Sequence, residues 1–196
     1  RTQTGIVACS DIDDYQNNII KKHENTRESK EQDRIRHVDA TDAHTGPIFL
    51  VYRQIDSIRQ VVETVKKQTP IYSFVADDGI KHEAWLIDQK SDLEIIKAGF
   101  EQIPATYIAD GHHRCASAVK VGLKRRQENP NYTGDEEYNR FLSVLFPDDE
   151  MMIMDYNRVL KDFNGLTQEE LILKLEELFV VEEMGSTQVR PERKGT

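Results

Sequence analysis

The sequence predicts an α+β fold, a mixed sheet with flanking helices, and three observations predict it. Strand-like runs rich in β-branched residues lead into stretches with apolar residues at helical spacing, as where "GPIFLVYR" passes into "QIDSIRQVVETVKKQ". An Asp-Gly pair between two β-rich runs, in "PIYSFVADDGIKHEAWLID", signals an antiparallel hairpin. No internal repeat or low-complexity segment asks for a different architecture.

Taken in order, "TGIVACS" has the small and β-branched character of a buried strand. "DIDDYQNNIIKKHENT" reads as the helix behind it, with Ile12, Tyr15, Ile19 and Ile20 at helical spacing. Ser10 supplies a cap, and Asp11, Asp13 and Asp14 place negative charge where the helix dipole favours it. Residues 26–46 are almost wholly polar, so a solvated, mobile helix and loop are expected there. "GPIFLVYR" is a central strand, and the next helix turns Ile55, Ile58, Val62 and Val65 to one face.

After the Asp-Gly hairpin, "SDLEIIKAGFEQI" is a short capped helix and "PATYIAD" a strand. "RRQENPNYTGDEEYN" is a polar connection broken by Pro130 and Gly134, and "RFLSVLFPDDEMMIMDY" reads as a second hairpin. In "NGLTQEELILKLEELFVVEEM", Thr167 and Glu170 have the spacing of a capping box. Phe49, Tyr52, Phe74, Trp85 and Phe141 are expected in the core.

A chain of 196 residues can bury a sizeable core, and 1–196 is expected to be one domain. It starts at Arg1 and ends on "MGSTQVRPERKGT" without a closing apolar element, which suggests a fragment of a longer chain. A net charge of -9 argues against nucleic acid and anionic membranes as partners. No apolar run approaches the roughly 20 residues that span a bilayer, so a cytoplasmic location is expected. Cys9 and Cys115 are too few for a disulfide framework and suit no zinc spacing.

The chemistry concentrates in "TYIADGHHRCASAVK". A strand ending in Asp110, a turn at Gly111 and a helix starting near His113 or Arg114 would aim free N–H groups and a positive helix end at one point, an anion site. Gly111 allows close backbone approach, Arg114 can fork onto phosphate oxygens, and His112 and His113 add donors. Asp110 would repel a phosphate, so it asks for another role: a magnesium ligand, a base for a hydroxyl, or a group that orients a histidine. The simpler reading makes Asp110 a helix cap, leaves the histidines solvated and pairs Arg114 with a surface acid. A transition-metal site on the two adjacent histidines lacks further ligands, and Cys115 at the helix start would be a thiol of lowered pKa.

Arg158, in "DYNR", is a further candidate for a phosphate contact, and Glu83 in "KHEA" is a lesser candidate for a second carboxylate.

The segments "KKHENT", "KEQDRIRH", "GPIFLVYR", "YIADGHHRCASA", "FLSVLFPDDEMMIMDYNRVLKD" and "NGLT" resemble the bacterial and archaeal domain of unknown function 1015 family, from Arg1 to Thr196. Members of that family are longer at both ends. The Asp-Gly-His-His-Arg box also resembles the nucleotide-phosphate loop of the ParB and sulfiredoxin superfamily, which includes kinases of free serine. That resemblance implies a ParB/sulfiredoxin-like core, Mg2+ with ATP or ADP as phosphate donor, and free L-serine as acceptor. Residue by residue, it makes Asp110 the box carboxylate, for catalysis or metal binding, and Gly111, His112, His113 and Arg114 the phosphate loop. Glu24, in the "His23-Glu24" pair, is the upstream glutamate, farther from the box than in the superfamily.

Sulfiredoxin carries its reactive cysteine before the His-Arg pair, whereas Cys115 follows Arg114. The DNA-binding helical domain of ParB proteins has no counterpart in this acidic sequence. The expected function is nucleotide-dependent phosphoryl transfer to a small hydroxyl compound. The alternatives are a nucleotide- or phosphate-binding regulatory domain without turnover, and a redox or metal protein.

Overall fold

The computed structural model describes residues 1–154, 159–183 and 185. They fall into two compact units, Arg1–Met151 and Met152–Thr196.

The first unit holds a five-stranded sheet in the order β1-β7-β3-β6-β2. Its strands are β1 (Ile6–Asp11), β2 (Ile20–Lys21), β3 (Ile48–Tyr52), β6 (Thr106–Asp110) and β7 (Arg140–Pro147). The sheet is mixed: β1 and β7 are antiparallel, β7 and β3 parallel, β3 and β6 antiparallel, and β6 and β2 parallel. Helices α1 (Ile12–Gln16), α2 (Glu28–Thr41), α3 (Asp56–Val65), α4 (Lys90–Phe100) and α5 (His112–Glu128) complete the unit, with a separate hairpin of β4 (Tyr72–Val75) and β5 (Lys81–Ala84). The α+β class with a mixed sheet and flanking helices is therefore as the sequence predicts.

Burial along β3 and β7 has period two, the signature of a sheet with one face covered. Ile48, Leu50 and Tyr52 of β3, with Phe141 and Leu145 of β7, point into a core that Ile58 of α3 and Cys115, Ala118 and Val119 of α5 close. The Ala-rich face of α5 lets that helix lie close to the sheet. Further along it, a Cβ on Gly122 would clash with the Tyr138 carbonyl oxygen.

Several expectations need correction. The helix over residues 11–26 is only α1, because the chain breaks at Asn17 and Asn18, whose φ is +58°, and returns as β2. Ile20 is spent on the sheet rather than on a helix face. The cap of α1 is Asp11, whose side chain accepts from the Asp13 N–H, and not Ser10, whose hydroxyl pairs with Ser143 at 2.7 Å. Among the described residues the second hairpin is absent: β7 pairs with β1 and β3, and Met151–Met154 forms no strand. Phe74 is 57% exposed because the β4–β5 hairpin stands off the main sheet, and Trp85 is half-buried, donating to the Gln68 carbonyl at 3.1 Å.

The polar stretch forms α2, which lies along α5. Ion pairs help to fasten it there. Lys120, Lys124 and Arg125, one face of α5, pair with Glu31, Asp39 and Asp42 of α2 and its C-cap. Glu31 is 5% exposed. Burial pushes its carboxyl up, but hydrogen bonds from Lys120 and Thr26 more than offset this and hold it below the usual range.

In the second unit, Thr167 caps α6 (Gln168–Glu176) by accepting from the Glu170 N–H at 3.2 Å. The Glu170 side chain accepts from the Thr167 N–H at 2.8 Å, completing the capping box.

Candidate functional site

The site is built at the junction of β6 and α5. The strand ends at Asp110, Gly111 turns the chain with φ +94° as the N-cap of α5, and the helix begins at His112, one residue earlier than the sequence suggests. The first-turn N–H groups of a helix have no intrahelical acceptor, so those of α5 face outward beside the positive end of its dipole.

Asp110 does not cap the helix, since no side chain bonds to its first turn. Its Oδ2 instead accepts from Arg114 Nη2 at 2.8 Å, while Arg114 Nη1 donates to the Pro47 carbonyl at 2.8 Å. The guanidinium is thus braced between the motif and the loop before β3, above Gly111 and beside Gly46. A Cβ at Gly111 would lie 3.2 Å from Nη2, and one at Gly46 3.0 Å from Nη1.

His112 is buried at 6% exposure and packs edge-on against His23 with ring centroids 4.4 Å apart. Its Nδ1 lies 3.8 Å from Glu24 Oε2, beyond hydrogen-bond reach, and its Nε2 has no partner among the described residues. His113 is used differently: its Nε2 accepts from the Arg27 N–H at 3.2 Å and so ties the motif to the start of α2.

Glu24 reaches this place through the pairing of β2 with β6. The parallel register sets Lys21 opposite Tyr107, and the chain beyond β2 then carries Glu24 to the cleft at the end of β6. Both carboxylates line one open cleft of about 650 Å³ with Gly111, His112, His113 and Arg114. Glu83 is elsewhere. It sits on β5, paired with Lys81 at 2.8 Å, and lines a different groove against β1 and α3. Arg158 lies outside the described residues.

The cleft also has a wall that sequence reasoning missed, formed by Ser29, Lys30, Asp33 and Arg34 of α2 with Thr45 and Gly46 of the following loop. Lys30 and Arg34 are four residues apart, the spacing of one helix face, and that was the signal available. Overlooking it followed from reading the whole stretch as solvent-facing.

Cys115 corrects another expectation. It is fully buried at the foot of the motif, and burial pushes its thiol up to about 12, only partly offset by Lys22. Desolvation disfavours the thiolate, the nucleophilic form, so the lowered thiol pKa expected at a helix start does not apply here. Among the described residues no three His, Cys, Asp or Glu side chains gather to hold a metal ion by themselves.

The family model described as "Protein of unknown function (DUF1015)" matches residues 1–196. The chain belongs to this family. No curated protein and no solved structure matches this DUF1015 chain. No helix among its described residues is long and apolar enough to cross a membrane.

One consequence for pH follows from His112. Burial, with His23 close by, holds its imidazole below the ordinary value of 6.5, against the opposing pull of Glu24 and Asp110. The unfolded chain therefore protonates first on acidification. The stability tied to a neutral His112 is complete above pH 6.5 and is lost as pH falls toward the depressed folded value. Denaturation midpoints at pH 7.5 and 5.5 should differ less in His112→Asn than in the natural protein; an equal difference would mean that His112 contributes nothing to acid sensitivity.

Proposed function

We propose that the cleft at the head of α5 carries out nucleotide-dependent phosphoryl transfer to a small hydroxyl compound, with free L-serine as the first acceptor to test. One observation carries this reading: the helix start suited to phosphate and the carboxylate of Asp110 open into the same cleft. Phosphoryl transfer asks a protein mainly for positioning and for charge placed around the moving group.

In this scheme the first-turn N–H groups of α5 and the braced Arg114 hold the phosphate. Asp110 accepts the proton of the acceptor hydroxyl as the hydroxyl oxygen bonds to the terminal phosphorus of the nucleotide, and the bond from that phosphorus to its bridging oxygen breaks, releasing ADP from ATP or AMP from ADP. Glu24, on the same cleft as Asp110, shares the acceptor side and faces the His112 ring. Magnesium binds proteins through one or two carboxylates while keeping waters and substrate phosphates, and Asp110 with Glu24 fits that demand. Bound there, it would neutralise phosphate charge.

A second reading has its own support. Asp110 already accepts from Arg114, so the box is complete as a phosphate-binding element with no acceptor present. A regulatory domain that binds nucleotide or phosphate without turnover would need nothing more.

Full-length protein incubated with magnesium, ATP or ADP and L-serine separates the two. Formation of phosphoserine together with ADP or AMP supports transfer, whereas nucleotide binding without product supports the regulatory domain.

A further inference from the structure

Outside the motif itself, the wall contributed by α2 carries the most unspent chemistry. Lys30 and Arg34 lie one turn apart, roughly 6 Å along the helix axis, and both line the cleft that Gly111 and His113 open into. Among the described residues neither makes an ion pair. Their neighbours do: Arg36 pairs with Asp33 at 3.6 Å, Arg114 with Asp110, and Lys120, Lys124 and Arg125 with acids of α2 and its C-cap. In a chain of net charge -9, two unmatched cations beside a helix N-terminus mark a place for negative charge.

A second observation points to a ligand at the same opening. His112 is more than nine-tenths buried, lines the cleft, and leaves Nε2 without a partner among the described residues. Buried polar atoms are nearly always satisfied, and an unsatisfied one at the edge of the cleft is a reason to look for a bound group there.

We propose that Lys30 and Arg34 form a second anion subsite, so that the cleft takes a ligand with two linked phosphates, a nucleoside diphosphate or triphosphate, in preference to a monophosphate. The inference rests on the phosphate reading of the α5 loop. One phosphate is satisfied by the first-turn N–H groups and Arg114. Its neighbour then meets the Arg34 fork, which suits phosphate oxygens bidentately, and the Lys30 ammonium, which acts as a point charge. The same pair would also suit the carboxylate of an acceptor amino acid, and the two sources can be told apart.

Calorimetric titration of the full-length protein with inorganic phosphate, pyrophosphate and L-serine, each alone, supplies the test. The natural protein should bind pyrophosphate at least about tenfold tighter than phosphate. The double variant Lys30→Met with Arg34→Met should lose that advantage while phosphate affinity changes by less than about threefold. Both side chains are exposed, so the variant should keep the circular dichroism of the parent. Gly111→Ala should weaken both anions together, because its Cβ would press on the Arg114 guanidinium at φ +94°.

An unchanged pyrophosphate preference in the double variant overturns the subsite and leaves the phosphate loop standing. Weakened L-serine binding with that preference intact gives the two cations to the acceptor instead. Phosphate binding that ignores Gly111→Ala, or is absent, removes the phosphate loop and the subsite with it.

Discussion

Replacing Asp110 by asparagine should lower the turnover of phosphoryl transfer by about 10²- to 10⁴-fold, the range typical of losing a general base. Nucleotide binding should persist. The change keeps size and removes only the charge, and the Asp110 side chain is 73% exposed, so no buried contact is lost. The Arg114–Asp110 pair at 2.8 Å is exposed enough to be worth at most about 1 kcal/mol. Freed from that pair, Arg114 has more of its fork for phosphate, and nucleotide affinity should hold or rise by up to about fivefold. Turnover equal to that of the natural protein would remove Asp110 from the chemistry, and a large loss of nucleotide affinity would make it a binding residue. Rates with saturating nucleotide and acceptor, set beside calorimetric affinities, distinguish these outcomes.

Leu50→Ala should cost about 2–5 kcal/mol of stability, the range for emptying a fully buried leucine site. Leu50 is 0% exposed in β3, the central strand, and lies opposite Leu145 on one side and Ile108 on the other. Neither neighbouring strand can shift inward without breaking its register, so the cavity should collapse little. Against a typical domain stability of about 5–15 kcal/mol, this is a large fraction. Urea titration should show a lower midpoint. A loss below about 1 kcal/mol would mean that the core around β3 relaxes freely.

The parts of the fold legible in the sequence were those with local periodicity. β3, α3, the Asp-Gly turn at Gly79 and the capping box at Thr167 are each specified by residues within a few positions of one another. The failures were contests between local pattern and sheet pairing. Ile19 and Ile20 suit a helix face, yet the edge beside β6 takes Ile20 as a strand residue. The run after Arg140 suits a hairpin, yet β7 is used between β1 and β3, and its pairing partners are more than ninety residues away in the chain.

Much the same division applies to the site. Asp110, Gly111, His112, His113 and Arg114 are contiguous, so their strand-turn-helix junction could be read directly, including the positive φ at Gly111. That Glu24 and not Glu83 joins them could not, because the choice depends on which strand pairs with β6. Lys30 and Arg34 were hidden for a related reason: a polar helix looks solvated all round until a partner covers one face. Here α5 takes Glu31, Asp39 and the C-cap Asp42 through Lys120, Lys124 and Arg125, Asp33 turns to Arg36, and Lys30 and Arg34 are left beside the cleft without an ion pair among the described residues.

By itself, then, the sequence determined the α+β class and the strand-turn-helix motif, since these follow from backbone conformation and side-chain chemistry within short segments. Only the tertiary structure decided which distant carboxylate and which distant cations face that motif, and that the neighbouring thiol is buried. Strand order, helix pairing and desolvation act between residues whose separation in the chain says nothing of their separation in space.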